Sequence, residues 1–359
     1  MTRVMIGSAV MEAGRGGIAR LARISALALQ NRGVDVTAVS YLDAVPPDVP
    51  GVRTLTARGS KLAFTALCHR EALRSDAMVF DFAGVARGRP RLPGFRRPYA
   101  VFMCGIEAWE ALRPSAEAAY READVVIAIS QYTLDRYQAL HGRLPNARVC
   151  WLATELGEAP PPPPPATGRP PKALILGRID KSLQYKGHYE LIAVWPHVLA
   201  RVPDARLVIA GGGNDLENVR AAATASPAAG NIDVLGFVPE AAVEDLWRGV
   251  DVFTMPCRGG GFGFVYVEAM RHGLPVVASV EDAAPEINIE GVTGFNVAIA
   301  DGDALADRLA RLLENRTLAQ TMGAAGFARW QTCFRPVHFE ERLLEILSEH
   351  GLVPKAGSA

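Results

Sequence analysis

Four glycines stand within the five residues Gly259–Gly263, directly before an apolar stretch with helical spacing, Phe264–His272. Glycines let the backbone approach a ligand closely, and the free amide groups in the first turn of a helix attract an anion. Glu268 lies one turn further along, where its carboxylate would repel a phosphate but could accept hydrogen bonds from sugar hydroxyls. The segment therefore predicts a turn that binds a nucleoside diphosphate. The alternative is a glycine-rich loop followed by an exposed glutamate.

Two cations stand at the ends of predicted elements in a second segment, 174–187. Arg178 follows an apolar strand that ends at Gly177, and Lys186 stands immediately before Gly187 and a helix. An arginine presents a planar fork and a lysine a point charge, so the two can converge on one diphosphate. Lysine is rare in this chain, and three of its five lysines fall between residues 172 and 186. The alternative is ordinary solvated charge.

The elements that must position these residues alternate between strand and helix. Apolar runs predict strands at Arg3–Val10, Val34–Tyr41, Ala77–Phe82, Tyr99–Met103, Val125–Ser130, Ala173–Leu176, Ala205–Ala210, Ile232–Leu235, Val252–Met255 and Pro275–Ser279. Near-continuous apolar strands separated by helices are typical of parallel sheets covered on both faces. We therefore predict an α/β protein with two doubly wound, Rossmann-like domains that bind ligands at the carboxyl ends of their strands.

A proline-rich stretch separates the two predicted domains. The six consecutive prolines Pro160–Pro165 cannot form a helix or a central strand, and they make a stiff spacer. We place the linker at 159–171, between one domain at 1–158 and another at 172–335. Residues 336–359 predict a helix, which can cross back to the first domain, and a tail. A ligand is expected in a cleft between the two facing sheets.

Composition excludes several classes of protein. Lys plus Arg and Asp plus Glu balance at 38 each, which argues against a nucleic-acid binder. The five cysteines are scattered and form no zinc-type pair, which favours a reduced, cytoplasmic setting. The first residues do not resemble a signal peptide. No apolar run approaches the length of a membrane-spanning helix, so we expect peripheral membrane association at most.

Several motifs occur in one order and with one spacing. They are Arg178 with Lys186-Gly187, LVIAGGG at 207–213, LGFVPE at 235–240 and GFGFVYVEAMRHGLPVVAS at 261–279, joined on the amino-terminal side by Gly14–Gly17, CGIEAW at 104–109 and ADVVIAISQYT at 123–133. This order resembles the retaining nucleotide-sugar glycosyltransferases of family 4, which have the GT-B architecture. The resemblance implies sugar transfer from a UDP or GDP sugar to an unknown saccharide, lipid-linked or small-molecule acceptor, without metal or cofactor.

The resemblance also implies roles for individual residues. Arg178 and Lys186 would hold the leaving diphosphate and supply the catalytic charge, while Glu268 would bind the ribose. The remaining donor-site positions would be the backbone near Val238 for the base, Gly16 and Gly17 from the first domain, and Gly260, Gly261, Phe262, Gly263 and Phe264 at the sugar and phosphates. Arg15, Cys104, Glu107 and Trp109 would lie on the acceptor side.

Three positions depart from the pattern of the resembled family. Gly260 stands where a glutamate that contacts the transferred sugar is usual, and Cys104 stands where a histidine is frequent. Asp282-Ala283-Ala284 replaces a usual Gly-Gly. We therefore expect altered recognition of the donor sugar, and a non-catalytic sugar-nucleotide binder is the alternative function.

Two further motifs allow other interpretations. Gly14–Ala19 fits the dinucleotide fingerprint, with Asp43 as a ribose partner, which would indicate an NAD(P)-dependent oxidoreductase. Against this, Met11–Ala13 separate the strand from the first glycine, where a tight turn is expected. Asp301-Gly302-Asp303 resembles a metal-binding motif, but Asp303 is more simply the N-cap of a helix, so we expect no metal.

Overall fold

The computed structural model describes residues 1–161 and 168–355, apart from the side chain of Ile106. The chain divides into two compact units, Met1–Gly157 with Phe334–Ala359, and Glu158–Cys333. Four of the eight prolines of the predicted linker lie outside the described residues.

The first unit contains a seven-stranded parallel sheet with the order β3-β2-β1-β4-β5-β6-β7. Its strands are β1 (Arg3–Ser8), β2 (Asp35–Ser40), β3 (Arg53–Thr56), β4 (Ala77–Phe80), β5 (Tyr99–Met103), β6 (Val125–Ala128) and β7 (Ala147–Val149). Its helices are α1 (Gly17–Asn31), α2 (Lys61–Ala72), α3 (Ala83–Ala86), α4 (Ile106–Trp109), α5 (Pro114–Arg121) and α6 (Gln131–His141). The central strands β4, β5 and β6 are buried at every residue, as their continuous apolar sequences require.

The second unit contains a six-stranded parallel sheet with the order β10-β9-β8-β11-β12-β13. Its strands are β8 (Lys172–Leu176), β9 (Arg206–Ala210), β10 (Ile232–Gly236), β11 (Val252–Met255), β12 (Val276–Ser279) and β13 (Gly294–Val297). Its α-helices are α7 (His188–Leu199), α8 (Leu216–Ala225), α9 (Glu240–Arg248), α10 (Phe264–Arg271), α11 (Ala284–Ile287), α12 (Gly302–Glu314) and α13 (Arg316–Arg329), with 3-10 turns at Lys181–Lys186 and Ala229–Asn231.

The last helix, α14 (Pro336–Glu349), follows a π-helical turn at Trp330–Phe334 and belongs to the first unit. It packs against α1. Its apolar residues Phe339, Leu343 and Leu347 recur every four positions and are buried.

The prediction of two doubly wound parallel sheets is confirmed. Strands β3, β7 and β13 were not among the predicted ones. Each lies at the edge of its sheet, and polar residues or a glycine interrupt its short sequence, which is RTLT, ARV or GFNV. Strand β1 ends at Ser8, two residues before the predicted Val10, where the chain bends and the Val10 amide donates to the Ser8 hydroxyl oxygen at 3.2 Å.

In each sheet the chain adds its first three strands toward one edge and the remaining strands toward the other, so the order of addition changes side at one place. It reverses between β1 and β4 in the first unit and between β8 and β11 in the second. Open α/β sheets bind ligands beyond the carboxyl ends of the strands at such a reversal. The segments that follow β8 and β11 are the two that carry the predicted diphosphate-binding residues.

Candidate functional site

Lys186 reaches the end of β11 because the chain at Gly187 is docked there. Gly187 has a φ of +92°, and a Cβ at this position would lie 2.6 Å from the Pro256 carbonyl oxygen. Only glycine allows both this backbone conformation and this close approach. The contact joins the start of α7 to the residue that follows β11, so it brings the two predicted diphosphate-binding segments together.

The Lys186 side chain folds back over the end of β8. Its Nζ lies 3.0 Å from the point that a Cβ on Gly177 would occupy. Burial lowers the pKa of Lys186, repulsion from Arg178 acts in the same direction, and Cys257 and Asp180 oppose these effects. Within the described parts of the chain, Lys186 forms no ion pair. A half-buried cation of this kind is stabilised by binding an anion.

Arg178 remains largely in solvent, with 67% of its side chain exposed and only a distant ion pair, 3.8 Å, to Asp180 Oδ2. The exposed guanidinium is free to reorient, so it can meet a ligand with its planar fork. The pKa of Lys186 is lowered mainly by burial, and Arg178 is close enough to contribute to this lowering by repulsion. Two neighbouring cations at one sheet edge favour a ligand with more than one negative charge.

The glycine turn, residues 259–263, connects β11 to α10. Gly259 and Gly263 have φ values of +95° and +87°, in the left-handed region, and Gly263 is the N-cap of α10. Phe262 is buried and makes an edge contact with Phe264 at 5.9 Å between ring centroids. The buried Phe262 side chain therefore anchors the turn directly before α10.

In the described residues, four helices that begin at the carboxyl edges of the sheets have a glycine N-cap and no capping side chain. They are α1, α4, α7 and α10, with Gly16, Gly105, Gly187 and Gly263. By contrast, α2, α6, α12 and α13 are capped by the side chains of Ser60, Ser130, Asp301 and Asn315. A side-chain cap would occupy the amide groups that an anion needs. At α7 and α10, no capping side chain therefore competes with an anion for this position.

Glu268 and Val238 also lie in the second unit, in segments that follow the carboxyl ends of its strands. Glu268 is partly exposed on α10, whose opposite face is buried through Val267 and Met270. Val238 is partly exposed in the loop between β10 and α9, next to the largely exposed Phe237. Their contacts with ribose and base stay predictions.

The glycine loop of the first unit is held by a buried aspartate. Gly16 is the N-cap of α1, and Arg15 and Gly17 are exposed beside it. Asp43, only 3% exposed, accepts hydrogen bonds from the amides of Met11 at 2.8 Å and Glu12 at 3.3 Å. Its carboxylate is therefore engaged by the loop itself, which argues against a ribose-binding role.

The residues predicted on the acceptor side lie beyond β5. Glu107 Oε1 accepts hydrogen bonds from the amides of Cys104 at 2.6 Å and Gly105 at 3.2 Å, and burial raises the pKa of Glu107. Trp109 is 7% exposed and packs edge-on against Tyr132 at 5.5 Å. These contacts support a structural role for Glu107 and Trp109, while contact with an acceptor stays a prediction.

Asp81 is a residue at this sheet edge that the sequence analysis missed. It directly follows β4, is 2% exposed, and accepts hydrogen bonds from the Ser8 hydroxyl at 2.7 Å and the Ala9 amide at 2.9 Å. Burial raises the pKa of Asp81 to about 7. The one available signal was an acidic residue directly after a wholly apolar strand.

The sequence motif that resembles a metal site caps a helix instead. Asp301 Oδ1 accepts the Ala304 amide at 2.9 Å, so Asp301 is the N-cap of α12. The prediction that Asp303 is the cap was wrong, because the helix begins at Gly302 and Asp303 already lies in its first turn. Among residues 1–161 and 168–355, no group of three or more His, Cys, Asp or Glu side chains could hold a metal ion.

Comparison with known proteins identifies the family. Residues 162–329 match the family model of glycosyl transferases group 1. Over 266 residues, 68% of each chain, the protein is 32% identical to the GDP-mannose-dependent alpha-(1-6)-phosphatidylinositol monomannoside mannosyltransferase of Mycolicibacterium smegmatis. This chain belongs to the group 1 glycosyl transferases. Its predicted class, a glycosyltransferase that uses a nucleotide sugar, is confirmed.

Two further proteins extend the comparison. The GDP-mannose-dependent monoacylated alpha-(1-6)-phosphatidylinositol monomannoside mannosyltransferase of Corynebacterium glutamicum is 31% identical over 264 residues, again 68% of each chain. The structure of Anabaena Alr3699/HepE in complex with UDP and glucose matches with a TM-score of 0.78 over 97% of this chain and 100% of that one, at 18% identity. The fold of this glycosyltransferase is therefore of the GT-B type.

Family membership overturns the oxidoreductase interpretation of Gly14–Ala19, in agreement with the engagement of Asp43 by its own loop. None of the helices in the described parts of the glycosyltransferase is long and apolar enough to cross a membrane.

Proposed function

We propose that this glycosyltransferase transfers mannose from GDP-mannose to a hydroxyl of an inositol-containing or saccharide acceptor, with retention and without a required metal ion. One observation carries the proposal. The half-buried Lys186, without an ion pair in the described residues, lies at the same sheet edge as the uncapped glycine start of α10. The names of the relatives supply mannose as the sugar, GDP as the nucleotide and a phosphatidylinositol mannoside as the first acceptor to try.

The chemistry needs charge stabilisation more than a base. When the bond between the sugar and the diphosphate breaks, negative charge grows on the leaving diphosphate. Lys186, Arg178 and the amides at the start of α10 would stabilise this charge, and such interactions accelerate the reaction because they strengthen in the transition state. Glu268 would bind the ribose hydroxyls and the backbone at Val238 the base.

Retention is part of the proposal because the relatives are named alpha-(1-6) mannosyltransferases. Mannose is α-linked to the diphosphate in GDP-mannose, so an α-linked product keeps the anomeric configuration. NMR of the product decides this directly. A β-linked mannoside would overturn retention but would leave the assignment of GDP-mannose as the donor unchanged.

The test measures donor binding and turnover separately. Isothermal titration with GDP, UDP and ADP should show the tightest binding for GDP. GDP-mannose with an inositol mannoside should then give GDP release and a mannosylated product, equally with and without a chelator. Preference for UDP would overturn the GDP assignment. Tight GDP binding with no turnover on inositol and saccharide acceptors would instead favour the non-catalytic binder.

A further inference from the structure

Asp282 is a buried carboxylate directly behind the glycine turn. It lies in the loop after β12, which is the neighbour of β11 in the sheet, and it is 2% exposed. Its Oδ1 accepts the Ala284 amide at 2.8 Å. Its Oδ2 lies 3.2 Å from the Tyr266 hydroxyl of α10. One side chain thus links the loop after β12 to the helix that follows the glycine turn.

The same carboxyl group explains why position 260 is glycine. The φ of Gly260 lies outside the left-handed region, so its backbone conformation admits any residue. A Cβ at 260, however, would lie 2.8 Å from Asp282 Oδ2, inside normal contact distance. Gly260 therefore leaves room for Asp282. These two positions are also departures from the pattern of the resembled family, and the structure brings them together.

The glycine turn is tied to the Asp282 loop through the backbone as well. The Ala283 amide donates to the Gly260 carbonyl oxygen at 3.1 Å. Together with the bond between Ala284 and Asp282, this leaves little freedom for Gly260 to move relative to α11. A buried carboxylate is costly unless it is hydrogen-bonded, so a site that retains one gains something from its position.

The proton count at Tyr266 adds a constraint. Its hydroxyl has one proton and two neighbouring acceptors, the Met255 carbonyl at 2.8 Å and Asp282 Oδ2 at 3.2 Å. If the shorter bond takes the proton, Asp282 must carry its own proton to complete the second bond. Burial raises the pKa of Asp282 to about 7, so a substantial fraction of the protein holds this proton at neutral pH. A neutral carboxyl also avoids repelling a bound diphosphate.

We infer that Asp282 is a positioning residue for the donor: its carboxyl fills the space beside Gly260 and holds the glycine turn and α10 in the arrangement that binds the diphosphate. This inference rests on the proposed function, since it assigns the turn to the donor diphosphate. Asp282 acts through the turn and does not itself need to reach the substrate.

The test is a cycle of four proteins: wild type, Asp282→Ala, Gly260→Ala and the double variant. Titration with GDP should show about tenfold weaker binding for each single variant. Asp282→Ala removes the carboxyl group that holds the glycine turn, and Gly260→Ala adds a Cβ that displaces this carboxyl group. The double variant should bind no more weakly than either single variant, because the Cβ at 260 then meets no carboxyl. Asp282→Asn should rescue much of the loss, since its amide oxygen can still accept from Ala284.

Glu281→Gln is the matched control, because Glu281 is the adjacent acid and contacts Arg258 at 3.7 Å and the Ile299 amide instead. With GDP-mannose, the Asp282 variants should raise KM more than they lower kcat. A purely structural role would lower the unfolding free energy but leave the GDP affinity of the folded protein unchanged, and that result would overturn the inference. Additive losses in the double variant would also overturn it. Failure of the wild type to bind GDP, UDP or ADP would overturn the proposed function itself.

Discussion

Gly187 approaches Pro256 so closely that a Cβ at position 187 would lie 2.6 Å from the Pro256 carbonyl oxygen. This contact joins two segments that are far apart in sequence and follow different strands. It determines where the preceding residue, Lys186, stands relative to the glycine turn. A single glycine therefore affects both the stability of the second unit and the geometry of its proposed donor site.

Replacing this glycine should damage both properties. Gly187→Ala should cost at least about 1–3 kcal/mol of unfolding free energy, because alanine is strained at a φ of +92° and its Cβ would strike the backbone. It should also weaken GDP binding. Gly230→Ala is the control, since a Cβ there has nothing within 4 Å. Chemical denaturation and GDP titration measure the two effects, and equal behaviour of the two variants would contradict the assigned role of the contact.

Removing the half-buried cation should mainly reduce catalysis. Lys186→Ala should lower kcat/KM for GDP-mannose by roughly 10²–10³-fold, the range typical of losing one group that stabilises transition-state charge. The matched control is Lys181→Ala, whose exposed side chain belongs to the same 3-10 turn. Initial rates of GDP release measure both variants. If Lys186→Ala and Lys181→Ala showed the same turnover, Lys186 would not act on the diphosphate.

Stability of the first unit should depend on pH through Asp81. Its pKa is raised to about 7 in the folded state by burial, from an ordinary value of 3.8. Between these values the folded protein holds a proton that the unfolded chain releases, so stability from this group is present below pH 4 and is lost as the pH rises to 7. The maximal slope for one group is about 1.4 kcal/mol per pH unit.

An Asp81→Asn variant should lack this dependence. Its stability relative to wild type should therefore rise between pH 5 and pH 7 and level off above. Hydrogen exchange of the β1 and β4 amides reports on this unit separately from the other. Asp76→Asn, at an exposed position before β4, is the control. A constant difference between Asp81→Asn and wild type across this pH range would contradict the raised pKa.

The loop before α1 should loosen when its buried aspartate is removed. Asp43→Ala leaves the amides of Met11 and Glu12 without their acceptor, and each unsatisfied buried donor costs about 1–3 kcal/mol. Faster hydrogen exchange across residues 9–17 is the expected result. Asp48→Ala, at an exposed position in the loop after β2, should leave this exchange unchanged. NAD should bind neither variant nor the wild type.

Much of the fold and part of the site were accessible from local patterns. The central strands are continuous apolar runs, and β5 and β11 begin and end at the predicted residues. The glycines before α10 and the cations after β8 were also visible, because turn chemistry and charge are properties of a few adjacent residues. The edge strands β3 and β7 were not visible, since their residues are partly exposed and lack that pattern.

The sequence by itself determined the doubly wound class and the family resemblance, and it supplied the segments proposed to bind a diphosphate, because these depend on periodicity and short motifs. Tertiary structure decided the partners of the buried acids. Asp43 binds amides 32 and 31 residues away, and Asp81 binds a hydroxyl 73 residues away. From sequence alone, Asp43 was a possible ribose ligand, and Asp282 was only a departure from the pattern of the resembled family. The side-chain contacts of a buried carboxyl group depend on which strand ends are neighbours at the sheet edge. The order of the strands in the sheet decides this, and that order is a property of the tertiary structure.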